Sequence, residues 1–295
     1  METMLQGVLT AVVTPFRDGK VDESAFRGLL DAQTRAGIDG VVVCGSTGEA
    51  ATLTDAERER LVSVSVEMCS GTRTLVWVGT GTNDTRTTVE LTRQAERQQA
   101  SGAMIVAPPY NKPTQEGLFR HFEAVAMATE LPLILYNVPG RTGVHVAAET
   151  VARVHALGHY AALKEASGSL DHVSDVRACC DITVLSGDDS LTLPMLALGA
   201  TGVISVVSNL LPTETRALVD AFRNGEIAEA RAWHFRLLPF FKGAFIETNP
   251  APIKMLLALA GVCGPETRLP LVPASAAARD KLQALLEQSD WRVHT

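Results

Sequence analysis

Runs of basic residues are missing from this chain, and so are long apolar runs, paired cysteines and clustered histidines. Its 295 residues carry 26 Lys and Arg against 33 Asp and Glu, a formal net charge of -7. With the two signs interspersed and no concentrated positive stretch, nucleic acid and anionic membrane surfaces are poor partners, and a small soluble molecule is the better expectation. The opening METMLQGVLTAVVTPFRDG has no basic leader and its apolar run stops at Thr14-Pro15. Neither a signal peptide nor a membrane span is therefore expected, and the chain is expected in the cytoplasm. The five cysteines are odd in number and their only close pair, Cys179-Cys180, is adjacent, which fits neither a disulfide framework nor a CxxC metal site. The seven histidines are scattered, with no HExxH, so no metal is expected. GTGTND at 79 to 84 lacks a phosphate-loop lysine, and no G-x-G-x-x-G opens a helix after the first apolar run, which lowers the standing of a doubly wound nucleotide-binding sheet.

What the chain does have is a repeated pattern. Short apolar, β-branched runs begin at Gly7, Gly37, Thr74, Gly102, Leu131, Tyr160, Asp181 and Ala200. Most are continuously apolar rather than alternating, as strands covered on both faces are, and helical patterns separate most neighbours. Thr54-Asp55-Ala56-Glu57 reads as a capping box, and Gly37 and Gly102 sit where a helix should stop in a conformation with φ > 0. Eight β-α units in one direction predict a (β/α)8 TIM barrel, a fold that runs to about 250 residues as one unit. After Asn209 the pattern is helical throughout, in PTETRALVDAFRNG, EIAEARAWHFRLLPFFKG, PAPIKMLLALAG and PASAAARDKLQALLEQ. The expected division is a barrel over 1–225 and a C-terminal helical extension over 226–295 packed beside it.

In such a barrel the strand C-termini form the site. The residues there are Gly45-Ser46-Thr47-Gly48-Glu49, Pro109-Tyr110-Asn111, Tyr136 through Arg141, Lys164-Glu165 and Gly202 through Ser205. Only six lysines occur, and Lys164 is the one inside a strand run. Burial lowers a lysine pKa and supplies the neutral amine that attacks a ketone to form a Schiff base. The plainer reading of Lys164 is a structural lysine paired with Glu165. Ser46-Thr47 between glycines suits a carboxylate but is also an ordinary turn. Tyr136 suits proton transfer if a nearby cation lowers its pKa, or else it is a core tyrosine. Arg141 suits a second carboxylate, or is a surface arginine.

Seven motifs in order, GSTGE (45–49), PPYNKPTQEGL (from 108), YNVPGRTG (136–143), LKEASG (163–168), SGDD (186–189), GVISV (202–206) and ETNPAPIK (247–254), resemble the dihydrodipicolinate synthase family over nearly the whole chain. The resemblance implies a lysine and diaminopimelate biosynthetic lyase condensing pyruvate with L-aspartate-4-semialdehyde, with no cofactor beyond the covalent Schiff base. It implies Lys164 as the Schiff-base lysine and Tyr136, Ser46 and Tyr110 as a proton relay, Tyr110 reaching in from a neighbouring subunit of a homotetramer built as a dimer of dimers. It implies that Ser46 and Thr47 hold the pyruvate carboxylate, that Arg141 holds that of the semialdehyde, and that Gly187 and Ile204 line the site. Ser46 stands where this family more often has threonine. N-acetylneuraminate lyases and 2-keto-3-deoxy sugar-acid aldolases share the barrel, the lysine and the tyrosine, but usually lack counterparts of Arg141 and Tyr110. A silent barrel that binds a keto acid as a sensor is disfavoured by the retained lysine, tyrosine and hydroxyls together. In lysine-inhibited members the effector pocket carries acidic and aromatic side chains where this chain has Thr87 and Pro109, which implies weak lysine inhibition or none.

Overall fold

The computed structural model describes residues 5–289. In chain order its strands are β1 (Gly7–Ala11), β2 (Phe16–Arg17), β3 (Lys20–Val21), β4 (Gly40–Val43), β5 (Leu75–Gly79), β6 (Gly102–Val106), β7 (Leu133–Asn137), β8 (Tyr160–Glu165), β9 (Thr183–Ser186) and β10 (Gly202–Ser205). Eight of them close into a barrel in the order β1-β10-β9-β8-β7-β6-β5-β4. All eight lie in the eight apolar runs read from the sequence. The β2–β3 pair is antiparallel and separate, and at two residues per strand it leaves no periodic signal to read.

The chain divides into two compact units, one centred on residues 76–204 and the other on 8–75 with the stretch from 205 onward. In the first, β6, β7 and β8 turn Ala103, Ile105, Leu133, Leu135 and Leu163 toward a core shared with Leu118, Phe122, Val151, Val154, Val173 and Val176 from the helices Gln115–Ala126, Ala148–His155 and Leu170–Cys179. Phe122 is fully buried, with Tyr160 edge-on at 5.7 Å and the Tyr160 hydroxyl donating to the Phe122 carbonyl at 3.0 Å. Truncating such a ring to alanine costs about 3–5 kcal/mol. Side chains alternate along a strand, so with Leu163 and Glu165 on the helix-facing side, Lys164 lies on the opposite face, the inside of the barrel.

In the second unit, β1 and β4 pair in parallel and are followed by the helices Glu23–Arg35 and Asp55–Cys69. Thr54 and Glu57 form the expected capping box, each side chain accepting the other's backbone N–H. The tail folds as four helices, Pro212–Arg223, Ile227–Gly243, Ala251–Leu259 and Ala276–Glu287, with no strand among the described residues after Ser205. Gly37 takes φ +69° as expected, but Gly102 does not have a positive φ. Its lack of a side chain serves close packing instead, since a Cβ there would sit 2.3 Å from the Trp77 ring.

Candidate active site

Lys164 and Tyr136 are register partners on the neighbouring parallel strands β8 and β7. That pairing puts both side chains on one face and brings the Lys164 Nζ to 4.2 Å from the centre of the Tyr136 ring. Both residues are buried, at 5% exposure each. Among the described residues no carboxylate lies within ion-pair distance of this ammonium. Burial brings the Lys164 pKa down to about 8; the charges of Asp188 and Asp189 oppose the fall and that of Arg141 adds to it. An amine poised there is a usable nucleophile near neutral pH.

Glu165 is not the counter-ion of Lys164. It faces the other way, accepting from the Asn137 side-chain amide at 2.9 Å and the Ser167 N–H at 2.6 Å, with His172 Nε2 at 3.3 Å. Strand alternation explains the separation of two adjacent residues, and it removes the plainer reading of Lys164 as half of a local ion pair.

Tyr136 behaves differently from the sequence expectation. Complete burial drives its phenol pKa well above the usual value, and the opposing charge of Arg141 is too weak to reverse this. Its O–H therefore stays protonated near neutral pH instead of ionising to a phenolate. Asp188 is half-buried, and desolvation raises its carboxyl pKa against the pull of the Lys164 charge. Gly187 forms a tight wall: its N–H donates to the Glu165 carbonyl at 2.7 Å, and a Cβ there would meet Lys164 Cε at 3.1 Å and Ala166 Cβ at 2.6 Å. Ile204 is fully buried in β10. Arg141 lies exposed in the short helix Pro139–Thr142, close enough for its charge to act on both Tyr136 and Lys164. Tyr110 is 89% exposed at φ +76°, and its backbone N–H donates to the Thr142 carbonyl at 3.2 Å.

In the other unit, the turn after β4 carries Ser46 and Thr47. Cys44 and Glu49 flank it with left-handed φ values of 53° and 54°. Such backbones in residues other than glycine cost on the order of 1 kcal/mol or more each and persist only where the surroundings impose them. Here the surroundings do so. The Thr14 hydroxyl donates to the Gly48 carbonyl at 2.7 Å, the Asn249 amide donates to the Thr47 hydroxyl oxygen at 3.0 Å, and the Glu49 carboxylate is gripped by the Lys254 ammonium and by the Arg268 N–H at 3.0 Å. Thr47 is buried and Ser46 exposed. The N–H groups of Ser46, Thr47 and Gly48 have no acceptor among the described residues, so the turn presents a row of donors suited to a carboxylate.

Three contributors escaped the sequence reading, although each lies in a motif quoted there: Asp188 in SGDD, and Asn249 and Lys254 in ETNPAPIK. Asp188 takes its meaning from partial burial near the Lys164 charge, and Asn249 and Lys254 take theirs from partners about 200 residues away, none of which is a local property. Among the described residues no group of three or more His, Cys, Asp or Glu could hold a metal ion, and no helix is long and apolar enough to cross a membrane.

The model of the dihydrodipicolinate synthetase family matches residues 4–289. A 4-hydroxy-tetrahydrodipicolinate synthase from Pelobacter propionicus is 49% identical over 286 residues, 96% of this chain and 98% of that protein. A crystal structure of dihydrodipicolinate synthase from Thermotoga maritima superposes with a TM-score of 0.95 at 41% identity, covering 97% of this chain and 99% of the other. A structure described as the first monomeric dihydrodipicolinate synthase variant superposes with a TM-score of 0.94 at 41% identity, covering 96% of each. The chain belongs to the dihydrodipicolinate synthetase family.

Proposed function

We propose that this protein is a class I, Schiff-base lyase that condenses pyruvate with L-aspartate-4-semialdehyde to give 4-hydroxy-tetrahydrodipicolinate. The observation that carries the reading is Lys164: a buried lysine with its pKa brought down to about 8, no counter-ion in contact among the described residues and a tyrosine ring beneath it. The neutral amine attacks C2 of pyruvate, and the carbinolamine loses water to leave an iminium. A proton leaves the methyl carbon and gives the enamine, whose carbon attacks the aldehyde; the resulting alkoxide takes up a proton. The amino group of the incoming portion then attacks C2, closing the ring and expelling the lysine amine. No bound cofactor is required, because the lysine itself serves as the electron sink.

Each step moves a proton, and Tyr136, kept protonated by burial, passes it on with the Ser46 hydroxyl and Tyr110. Ser46 and Thr47 hold the pyruvate carboxylate with the free N–H groups of their turn, Arg141 takes the carboxylate of the semialdehyde, and Gly187 and Ile204 shape the walls. Tyr110 is 89% exposed in the single chain, which supports a relay completed across a dimer within a dimer of dimers. One related structure is described as monomeric, so assembly does not follow from family membership. Ultracentrifugation across the assay range tests it, and a fully active monomer would refute the shared tyrosine. The five free cysteines suit a reducing compartment, and we place the activity in the cytoplasm. Free lysine is expected to inhibit weakly or not at all.

Borohydride reduction in the presence of pyruvate tests the chemistry. One reduced pyruvyl group should appear on the intact mass and map to the peptide containing Lys164. An active protein without that adduct would overturn the reading.

A further inference from the structure

We infer that Asn249 and the buried Lys254–Glu49 pair are positioning residues for the pyruvate carboxylate: together they fix the Ser46–Thr47 turn so that its donors meet that group. The inference rests on the function proposed above and adds a support that no catalytic role requires. Lys254 lies in the apolar helix Ala251–Leu259, is completely buried, and donates to Glu49 and to the Glu266 carbonyl at 2.8 Å. Glu49, itself 4% exposed, receives Arg268 N–H on its second oxygen. The Arg268 guanidinium binds Glu57 at 2.5 and 2.7 Å and the Thr52 carbonyl at 2.9 Å, on the far side of the turn. The Phe16 ring lies under both cations, 4.2 Å from Lys254 Nζ and 4.3 Å from the Arg268 guanidinium carbon. Two elements of the tail thus reach back about 200 residues to one short turn, Cys44 to Glu49, whose φ values are strained at both ends.

Such an arrangement is expensive for a purely structural device. A buried ion pair is weak support for stability, because desolvation offsets the attraction between the charges. What it does well is define geometry, since both partners are anchored and their hydrogen bonds are directional. The same tail stretch also supplies Asn249, whose amide fixes the Thr47 hydroxyl oxygen as an acceptor and so leaves that hydroxyl's own proton to be donated elsewhere. Thr47 is buried, and among the described residues its hydroxyl donates to no acceptor.

The test compares Lys254→Met and Asn249→Ala with the unmodified protein by steady-state kinetics and by the pyruvate concentration needed for half-maximal borohydride trapping. Both variants are expected to raise the half-saturating pyruvate concentration about tenfold or more, with kcat at saturation and the KM for the semialdehyde changed by less than about threefold. A variant that melts earlier yet keeps the original pyruvate half-saturation would make the network merely structural and overturn the inference, as would a fall in kcat at unchanged pyruvate KM. Should Lys254→Met not fold, Asn249→Ala alone decides by the same criterion. Absence of an adduct in the unmodified protein would instead overturn the proposed chemistry, and this inference with it.

Discussion

Two lysines lie buried in this molecule, and they are held in opposite ways. Lys254 is bonded to a carboxylate and a carbonyl; burial still lowers its pKa, but the charge of Glu49 and its hydrogen bond oppose the fall. Lys164 has an aromatic ring beneath it, no bonded acceptor among the described residues and carboxylates only at a distance, and its pKa comes down to about 8. Burial alone therefore does not mark a reactive lysine. What separates a nucleophile from a strut is whether an acceptor is bonded to the amine.

The largest effect that would break this comparison is loss of chemistry. Lys164→Met should lower condensation by at least about a thousandfold and abolish the pyruvate adduct, whereas Lys254→Met should retain the adduct at saturating pyruvate. Mass spectrometry of both variants after reduction checks it. A second prediction inverts the order for stability. A pKa of about 8 in the fold, against 10.5 for an ordinary lysine, penalises the folded protein by up to about 3 kcal/mol at neutral pH, below both values. Lys164→Met should thus leave stability unchanged or raise it. Lys254→Met strands the Glu49 carboxylate without its cation and should cost about 3–5 kcal/mol. Denaturant unfolding of the two variants decides the sign.

The stranded charge, rather than lost packing, is the stated cause of that cost. Replacing both partners, as in Glu49→Leu with Lys254→Met, should then recover part of the stability lost in the single variant, a coupling of about 1–3 kcal/mol in a double-mutant cycle. Strict additivity would show that the two residues do not act as a pair. The smallest expected effect is on pH. The lysine amine attacks only when neutral, so the rate of adduct formation at limiting pyruvate should rise with pH and level off above about 8. For the same reason the stability penalty from Lys164 persists below about 8 and fades as pH climbs from there toward 10.5.

The difference between the lysines also marks how far the sequence could be read. Lys164 stood out because it interrupts a strand that is otherwise apolar, and strand alternation is enough to place it on the barrel's inner face. The eight strands were legible for the same reason: each is covered on both sides, so each is a compact apolar run. Lys254 interrupts an apolar run too, PAPIKMLLALAG, but its meaning depends on Glu49, 205 residues earlier, and no local pattern records that pairing. The orientation of Glu165 was open until the strand was placed, because one residue of register decides whether it meets Lys164 or His172. The raised pKa of Tyr136 is not legible in the sequence, which names the nearby charges but not the burial that outweighs them. The packing role of Gly102 is equally hidden, because its value is contact with Trp77 rather than backbone freedom.

The most direct test of the central claim, that Lys164 and not Lys254 is the nucleophile, is peptide mapping of the unmodified protein after borohydride reduction with pyruvate. A single reduced pyruvyl group on Lys164, with Lys254 unlabelled, is the result this account predicts. A label on Lys254, or an active enzyme with no label on either lysine, would contradict it.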